Sequence, residues 1–476
     1  MSPEDRSLEL SPEDFRRLID AAARRAVDHV ASLPSQPSAD VEGGAELARS
    51  LVEPLPSEGR PAEELLDLLF DRVIPKSFNA AGPGYLAYIP GGGLPHAAVA
   101  GFIADATNRY VGVFAAAPGL AQIEANVVRW FADIAGYPAE ARGILTTGGS
   151  LATFSAVVAA RRDRLPENFL AGVLYTSDQA HYAVEKAALL AGFPPGCVRK
   201  VATDESFRIR LDALERAIAE DRAAGRTPFL VAGNAGTVNT GAVDDLAALA
   251  ELCERERLWF HVDAAYGGFF LLTDEGRRRM RGIERSDSVV LDPHKGLFLP
   301  YGTGALLVRD GEKLKRAHAL TGDYMPSMQE APDLVDFNLL SPELSRGFRG
   351  LRVWLPMKMH GIGPFRANLE EKLSLARRAA AGLARIPVIE ILAEPQLSVV
   401  AFRLAPPGLD AAALDAINRR LLERVNGRKR VYLTGTLLRG RFAIRICVLS
   451  FRTHRERIDM ALEDIAAEAA ALARSD

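Results

Sequence analysis

Cysteine is scarce in this 476-residue chain: Cys197, Cys253 and Cys447 are its only three, and they stand far apart. No spacing among them fits a thiolate metal site or a disulfide framework, so neither a metal nor cystine staples are expected to hold the fold. A reducing cytoplasm suits such a chain. An excess of one charge is also missing. Fifty-eight Lys and Arg against 61 Asp and Glu leave a formal net charge of −3, which argues against a nucleic-acid partner. No uninterrupted apolar run is long enough to cross a bilayer; the Ala-rich stretch 465–473 is too short and carries Glu468. The charged start, Met1-Ser2-Pro3-Glu4-Asp5-Arg6, lacks the apolar centre of a signal peptide. A proper Gly-x-Gly-x-x-Gly run after a strand, the mark of dinucleotide binding, is absent too.

What is there reads as globular: 48% hydrophobic and 25% charged residues, on a chain long enough for two or three packed regions. Ser11-Pro12-Glu13-Asp14 is a helix start, with a cap, a proline in the first turn and acids behind it. Phe15, Leu18, Ile19, Ala22, Ala26 and Val30 follow at helical spacing. A second helix is expected from Pro61, carrying Leu65, Leu66, Leu68, Leu69 and Val73. Two such helices must cover something, either their own chain or a partner subunit. From about residue 120 the pattern becomes strand, turn, helix. Strands are expected at 143–147, 171–175, 229–232, 259–262 and 288–291, with one more at 304–308. That alternation predicts an α/β fold with a mostly parallel sheet and helices on both faces. Residues 320–342 hold no steady period and read as a long mobile loop. A helix over 345–359 follows. The rest, with a helix near 369–384 and strands near 399–403 and 442–449, reads as a smaller α+β domain.

The chemistry concentrates in two segments. Leu258-Trp259-Phe260 leads into His261-Val262-Asp263-Ala264-Ala265-Tyr266, and Val289-Val290-Leu291 leads into Asp292-Pro293-His294-Lys295-Gly296. An acid and an amine thus stand at the C-terminal ends of two buried strands, the edge where open α/β sheets bind ligands. A lysine is ordinarily a solvated charge, but Lys295 follows an apolar strand, where burial beside a cationic system would depress its pKa and make it nucleophilic. A carboxylate placed like Asp263 needs a buried cation, and a protonated pyridine nitrogen supplies one. The pair therefore suits pyridoxal phosphate (PLP), with Lys295 as the covalent attachment and Asp263 on the ring nitrogen. Ala265 is small enough for a flat ring to lie close. Gly148-Gly149-Ser150 precedes a helix, and a helix N-terminus with a hydroxyl holds phosphate well, although the same triplet also makes ordinary tight turns. His181 stands at a strand–helix junction, where an imidazole can stack on a ring. Gly236-Thr237-Val238-Asn239-Thr240-Gly241 either holds cofactor or only shapes its turn. Tyr324 lies in the irregular loop.

Together, Asp178-Gln179-Ala180-His181, His261-Val262-Asp263-Ala264-Ala265-Tyr266, Asp292-Pro293-His294-Lys295 and Arg346-Gly347-Phe348-Arg349 resemble, in order and spacing, the PLP-dependent group II decarboxylases. The aromatic-L-amino-acid decarboxylases are the branch this chain looks most like. The resemblance implies the aspartate-aminotransferase-like PLP-dependent transferase fold (type I) and a homodimer with its site at the interface. It implies an N-terminal helical segment, 1–95, lying on the partner, a large PLP-binding domain, 96–350, and a small α+β domain, 351–476. It assigns Lys295 to the covalent link, Asp263 to the pyridinium nitrogen, and His181 to ring stacking and the substrate carboxylate. Gly149 and Ser150 go to the phosphate, and His294 to the pocket wall. Tyr324 falls at the loop tyrosine thought to return a proton to the α-carbon; Phe there diverts the family's reaction to an aldehyde.

The chain also departs from the family. Asp292 stands where the family often has Asn. Val238 matches a position usually occupied by Thr, for which Thr237 or Asn239 can substitute. Tyr88-Ile89-Pro90 keeps a pocket segment, while Ala80 and Gly112 align with a pocket Trp and Phe, so the substrate pocket is reshaped. The expected reaction is decarboxylation of an L-amino acid, aromatic before acidic, to amine and carbon dioxide. Its rivals are aldehyde formation, transamination or another lyase reaction on the same cofactor, and a nucleotide-binding or scaffolding protein with no use for Asp263 and Lys295.

Overall fold

The computed structural model describes residues 8–320, 331 and 333–472. Seven strands make the large sheet: β1 (Arg142–Thr146), β2 (Gly172–Ser177), β3 (Val198–Val201), β4 (Thr227–Asn234), β5 (Trp259–Asp263), β6 (Ser288–Leu291) and β7 (Gly304–Val308), in the order β1-β7-β6-β5-β4-β2-β3. β7 pairs antiparallel with both β1 and β6, while the other pairs are parallel, so six of the seven strands run one way. Every residue of β2, β6 and β7 is buried, as a sheet covered on both faces requires. The C-terminal ends of β1, β2, β4, β5 and β6 therefore meet along one edge, joined there by the N-terminal end of β7.

A second sheet, β8 (Ile389–Ala393), β9 (Val399–Leu404), β10 (Thr434–Leu438) and β11 (Arg441–Cys447), is antiparallel in the order β10-β11-β9-β8. The helices Gly363–Leu383, Ala411–Gly427 and Arg455–Leu472 pack on it around a core of their own.

The first helix, Pro12–Ser32, is capped by Ser11 Oγ, which accepts from the Asp14 N–H at 3.0 Å. None of its residues is buried; Phe15, Leu18 and Val30 of its apolar stripe remain 38–43% exposed. The second segment is helical over Ala62–Asp67 and continues as a π-helix over Leu68–Val73, with Ile74 N–H bonding back to Leu69 O. The helix expected from 345 begins at Gly350 instead. Arg346 and Arg349 are turned inward to Glu124, Glu343 and the carbonyl of Leu145, and the Gly350 N–H donates to Glu124 Oε2 at 3.0 Å, so the backbone of 345–349 follows those contacts.

Candidate active site

The strand ends converge on a cavity of about 370 Å³ that brings together Gly149, Ser150, His181, Thr237, Asp263, Ala265, His294 and Lys295. Eight residues distributed over 147 positions of sequence thus share one space.

β1 leads into the turn at Thr147–Gly148 and the helix Gly149–Arg164. Thr146 Oγ1 ties this turn, donating to Gly148 O at 3.0 Å and accepting from Gly148 N–H at 3.3 Å. Leu151 N–H and Ala152 N–H turn back to Gly148 O, both at 3.2 Å, which leaves the N–H groups of Gly149 and Ser150 placed for an anion. A Cβ at Gly149 would sit 3.1 Å from Asp292 Oδ2 and 3.3 Å from the Ala265 Cβ. The turn therefore forms a close backbone cradle beside the small side chain of Ala265.

Asp263 ends β5, in register with Asn234 on β4 and Val290 on β6. Its Oδ1 accepts from the Ala265 N–H at 3.1 Å, which aims the carboxylate. His181 follows β2. Its Nδ1 accepts from the Ala183 N–H at 3.1 Å, which puts the ring proton on Nε2. Burial lowers its pKa, against opposing pulls from Asp263 and Asp292, so the ring is neutral at pH 7.

Lys295 stands on the short helix Pro293–Gly296 at the end of β6. Its Nζ lies 2.9 Å from Asp292 Oδ2, and its side chain is 22% exposed. Burial pushes its pKa down, but Asp292, and Asp263 with it, more than offset that and hold it above the ordinary lysine value. The expected depression is thus not met in the chain by itself, because two carboxylates face the ammonium. His294 Nδ1 donates to Thr303 O at 2.6 Å, and burial lowers its pKa as well. The Thr237 hydroxyl is engaged in its own turn, 2.9 Å from Thr240 Oγ1 and accepting from Ala242 N–H at 3.2 Å, so it shapes the turn in which Thr237 lines the cavity.

Other expected residues lie elsewhere. Ala80 lines a separate cavity of about 730 Å³, between the N-terminal helices and Tyr301. Gly112 sits against Tyr110 and Leu344, and its carbonyl accepts from the Asn338 N–H. Tyr88 is half exposed and Pro90 buried, and neither lines the space around Lys295. Tyr324 lies outside the described residues.

Two supporting groups lie outside these motifs. Arg445 is a charge inside the apolar run Phe442-Ala443-Ile444-Arg445-Ile446-Cys447. It is 3% exposed and donates to the carbonyls of Asn239, Val238 and Tyr88 and to Thr434 Oγ1. Asp244, 1% exposed, accepts from Asn234 N–H and Ile209 N–H, both at 2.7 Å, and fixes the end of β4 beside Asp263.

A family model described as the pyridoxal-dependent decarboxylase conserved domain matches residues 47–405. The chain is a pyridoxal-dependent decarboxylase. It is similar to an aromatic-L-amino-acid decarboxylase of Bacillus atrophaeus, 34% identical over 454 residues that make 95% of each chain. A phenylacetaldehyde synthase of Arabidopsis thaliana is 28% identical over 443 residues, 90% of each. The crystal structure of Oryza sativa TDC with PLP and tryptamine superposes with a TM-score of 0.91 at 25% identity, covering 98% of this chain and 99% of that one. The fold is that of the PLP decarboxylases, PLP is the cofactor, and the reaction is decarboxylation of an amino acid. The cradle at Gly149 and the juxtaposed Asp263 and Lys295 fit that cofactor. Among the described residues no helix is long and apolar enough to cross a membrane.

Proposed function

We propose that this decarboxylase converts an aromatic L-amino acid to its amine and carbon dioxide. The observation that carries the reading is the single cavity holding Lys295, Asp263 and His181 beside the Gly149 cradle. Among the described residues lining it, Lys295 is the only Lys or Arg, which favours a substrate whose side chain carries no charge. The aromatic-L-amino-acid decarboxylase of Bacillus atrophaeus points the same way.

Bound PLP supplies the electron sink for the breaking carbon–carbon bond. The chain's residues do the rest. Lys295 holds the cofactor covalently and yields to the substrate amine. Asp263 keeps a proton on the pyridine nitrogen. Gly149 and Ser150 hold the phosphate, Ala265 bounds one face of the ring, and Thr237 and His294 bound the pocket. His181, whose proton sits on Nε2, would stack on the ring and offer that N–H to the substrate carboxylate. Tyr324 returns a proton to the α-carbon. Tyr88, Pro90, Ala80 and Gly112 stand outside this cavity, so they reach a substrate only across the dimer interface that the resemblance implies.

The working unit is a cytoplasmic homodimer. The uncovered stripe of Pro12–Ser32 supports a segment 1–95 that packs on the partner, with 96–350 and 351–476 as the large and small domains. Three buried, unbridged cysteines suit a reducing compartment. The second reading is decarboxylation with oxidative deamination to an aldehyde, favoured by the likeness to the Arabidopsis phenylacetaldehyde synthase.

The test is a panel of L-amino acids, with carbon dioxide, amine, aldehyde and ammonia measured. Equal amine and carbon dioxide from an aromatic substrate are expected, and Lys295→Ala should abolish both along with the visible absorbance of covalently held cofactor. Turnover of Glu or Asp alone would overturn the aromatic assignment, and a band that survives Lys295→Ala would overturn the site.

A further inference from the structure

Tyr182 is a large aromatic side chain left 68% exposed beside the site. A ring of that size ordinarily buries much of its surface. Among the described residues this one makes a single ring contact: its centroid lies 4.3 Å from that of His181, with the two planes 34° apart. Its hydroxyl has no hydrogen-bond partner among them.

The contact follows from how the chain turns. His181 comes after β2, and the helix Ala183–Leu190 begins two residues beyond it. Because His181 Nδ1 accepts from the Ala183 N–H, the imidazole serves as a cap and is held back over the helix start. Tyr182 between them has helical backbone angles, φ −58° and ψ −13°, and its carbonyl accepts from the Lys186 N–H at 3.0 Å. Adjacent side chains at a helix start normally diverge. Here they meet because the first is drawn back by its cap bond.

An imidazole has two faces. His181 lines the cavity that holds Lys295, whereas Tyr182 does not. The Tyr182 ring therefore covers the face turned from the cavity, and the other face is left for a flat ring. The charged groups that reach His181 are Asp263 from β5, and Asp292 and Lys295 from the end of β6. Burial outweighs the pull of the two carboxylates and lowers its pKa, and the Tyr182 ring supplies part of that burial.

We propose that Tyr182 is a positioning residue for His181: its ring backs the imidazole, keeps water from the rear face and holds the front face toward the cofactor ring. An imidazole stacked on one side only can swing about its χ2 torsion, which is soft, and each swing takes the Nε2–H off line. Backed on the second side, it has one position. The six-membered ring does this and the hydroxyl does not, so phenylalanine serves as well as tyrosine. The inference rests on the placing of His181 against the cofactor in the preceding section.

The experiment compares wild type with Tyr182→Ala, Tyr182→Phe and His181→Ala. In cofactor-free protein carrying labelled histidine, the His181 imidazole is titrated by NMR, its signal identified by its loss in His181→Ala. In Tyr182→Ala it should titrate higher than in wild type, toward the ordinary value of 6.5, because water at the rear face favours the charged form. Tyr182→Phe should titrate as wild type does. PLP Kd, read from fluorescence, should rise about two- to tenfold in Tyr182→Ala, the worth of one aromatic contact, and stay unchanged in Tyr182→Phe. An unmoved His181 titration or an unchanged Kd in Tyr182→Ala would overturn the proposal, as would a Tyr182→Phe variant as impaired as Tyr182→Ala. A weaker Kd that comes with a lower urea midpoint would also overturn it, since Tyr182 would then be merely structural. If His181→Ala binds PLP as tightly as wild type, it is the placing of His181 against the cofactor that fails, which separates the two outcomes.

Discussion

Changing Glu124 to Gln tests how the cofactor turn is held. Glu124 lies on the helix Pro118–Ala135, and its side chain and that of Arg346 are both 0% exposed, with Oε1 and Nη1 2.5 Å apart. Arg346 Nη2 also donates to Leu145 O at 2.9 Å, and its guanidinium lies 5.2 Å from the Phe337 ring. Leu145 is on β1, immediately before the turn that opens at Gly148. At an effective dielectric of about 20, two charges 2.5 Å apart attract by roughly 6–7 kcal/mol. Glutamine keeps the oxygen that serves the Gly350 N–H, but leaves a guanidinium buried without its counter-charge. The net cost expected is about 3–5 kcal/mol, against a total stability of order 5–15 kcal/mol. The assay is the urea midpoint of the cofactor-free protein, since bound PLP would mask the change by mass action. The PLP Kd should rise in parallel, because the carbonyl held by Arg346 precedes the cradle. The double variant with Arg346→Met, which leaves no buried charge, should recover much of the loss. A single change costing under about 1 kcal/mol, or a double variant as damaged as the sum of both singles, would refute the reasoning.

Two further outcomes are expected. Tyr324→Phe should raise the ratio of aldehyde to amine on the preferred substrate; an unchanged ratio would remove Tyr324 from the protonation step. Stability should fall as the pH drops from 7 to 5. Burial, opposed by Asp263, lowers the pKa of His261 to about 4 from 6.5, so between these values the unfolded chain binds a proton that the native one does not. Native stability therefore rises with pH in that window, and His261 alone costs about 2 kcal/mol by pH 5. Midpoints measured across the range should show this loss, and His261→Asn should shrink it; a flat profile would contradict the burial of a neutral imidazole.

The strands that hold the chemistry were legible because they are buried on both faces and so read as unbroken apolar runs. β6 and β7 coincide with their expected bounds, and β5 differs by one residue. β3, β8 and β10 were not. β3 reads Val198-Arg199-Lys200-Val201 and is an edge strand with one buried residue, β8 likewise has one, and β10 contains Gly435. β3, half open to water and carrying Arg199 and Lys200, keeps no apolar signature. The acid–lysine pair was legible from its place after β5 and β6, whereas the partner that Lys295 takes in the chain was not. Asp292 lies three residues before it, and only the one-turn helix Pro293–Gly296 brings the two groups together.

Substrate shape was illegible for a different reason. The turn 237–241 and the segment at Tyr88 are both tied to one guanidinium, that of Arg445, which lies 357 residues from Tyr88 and 206 from Asn239. Arg445 belongs to β11 of the small sheet, so that sheet sets where the Tyr88 backbone and the Val238–Asn239 carbonyls stand relative to Lys295 at the edge of the large one. A local pattern can report that a strand end carries a carboxylate or an amine, because that depends on a few neighbours and on burial. It cannot report the width of a pocket whose walls are positioned by a side chain from another sheet. The reacting groups are written into single segments of this chain, while the fit of a substrate beside them is a property of how those segments are clamped together.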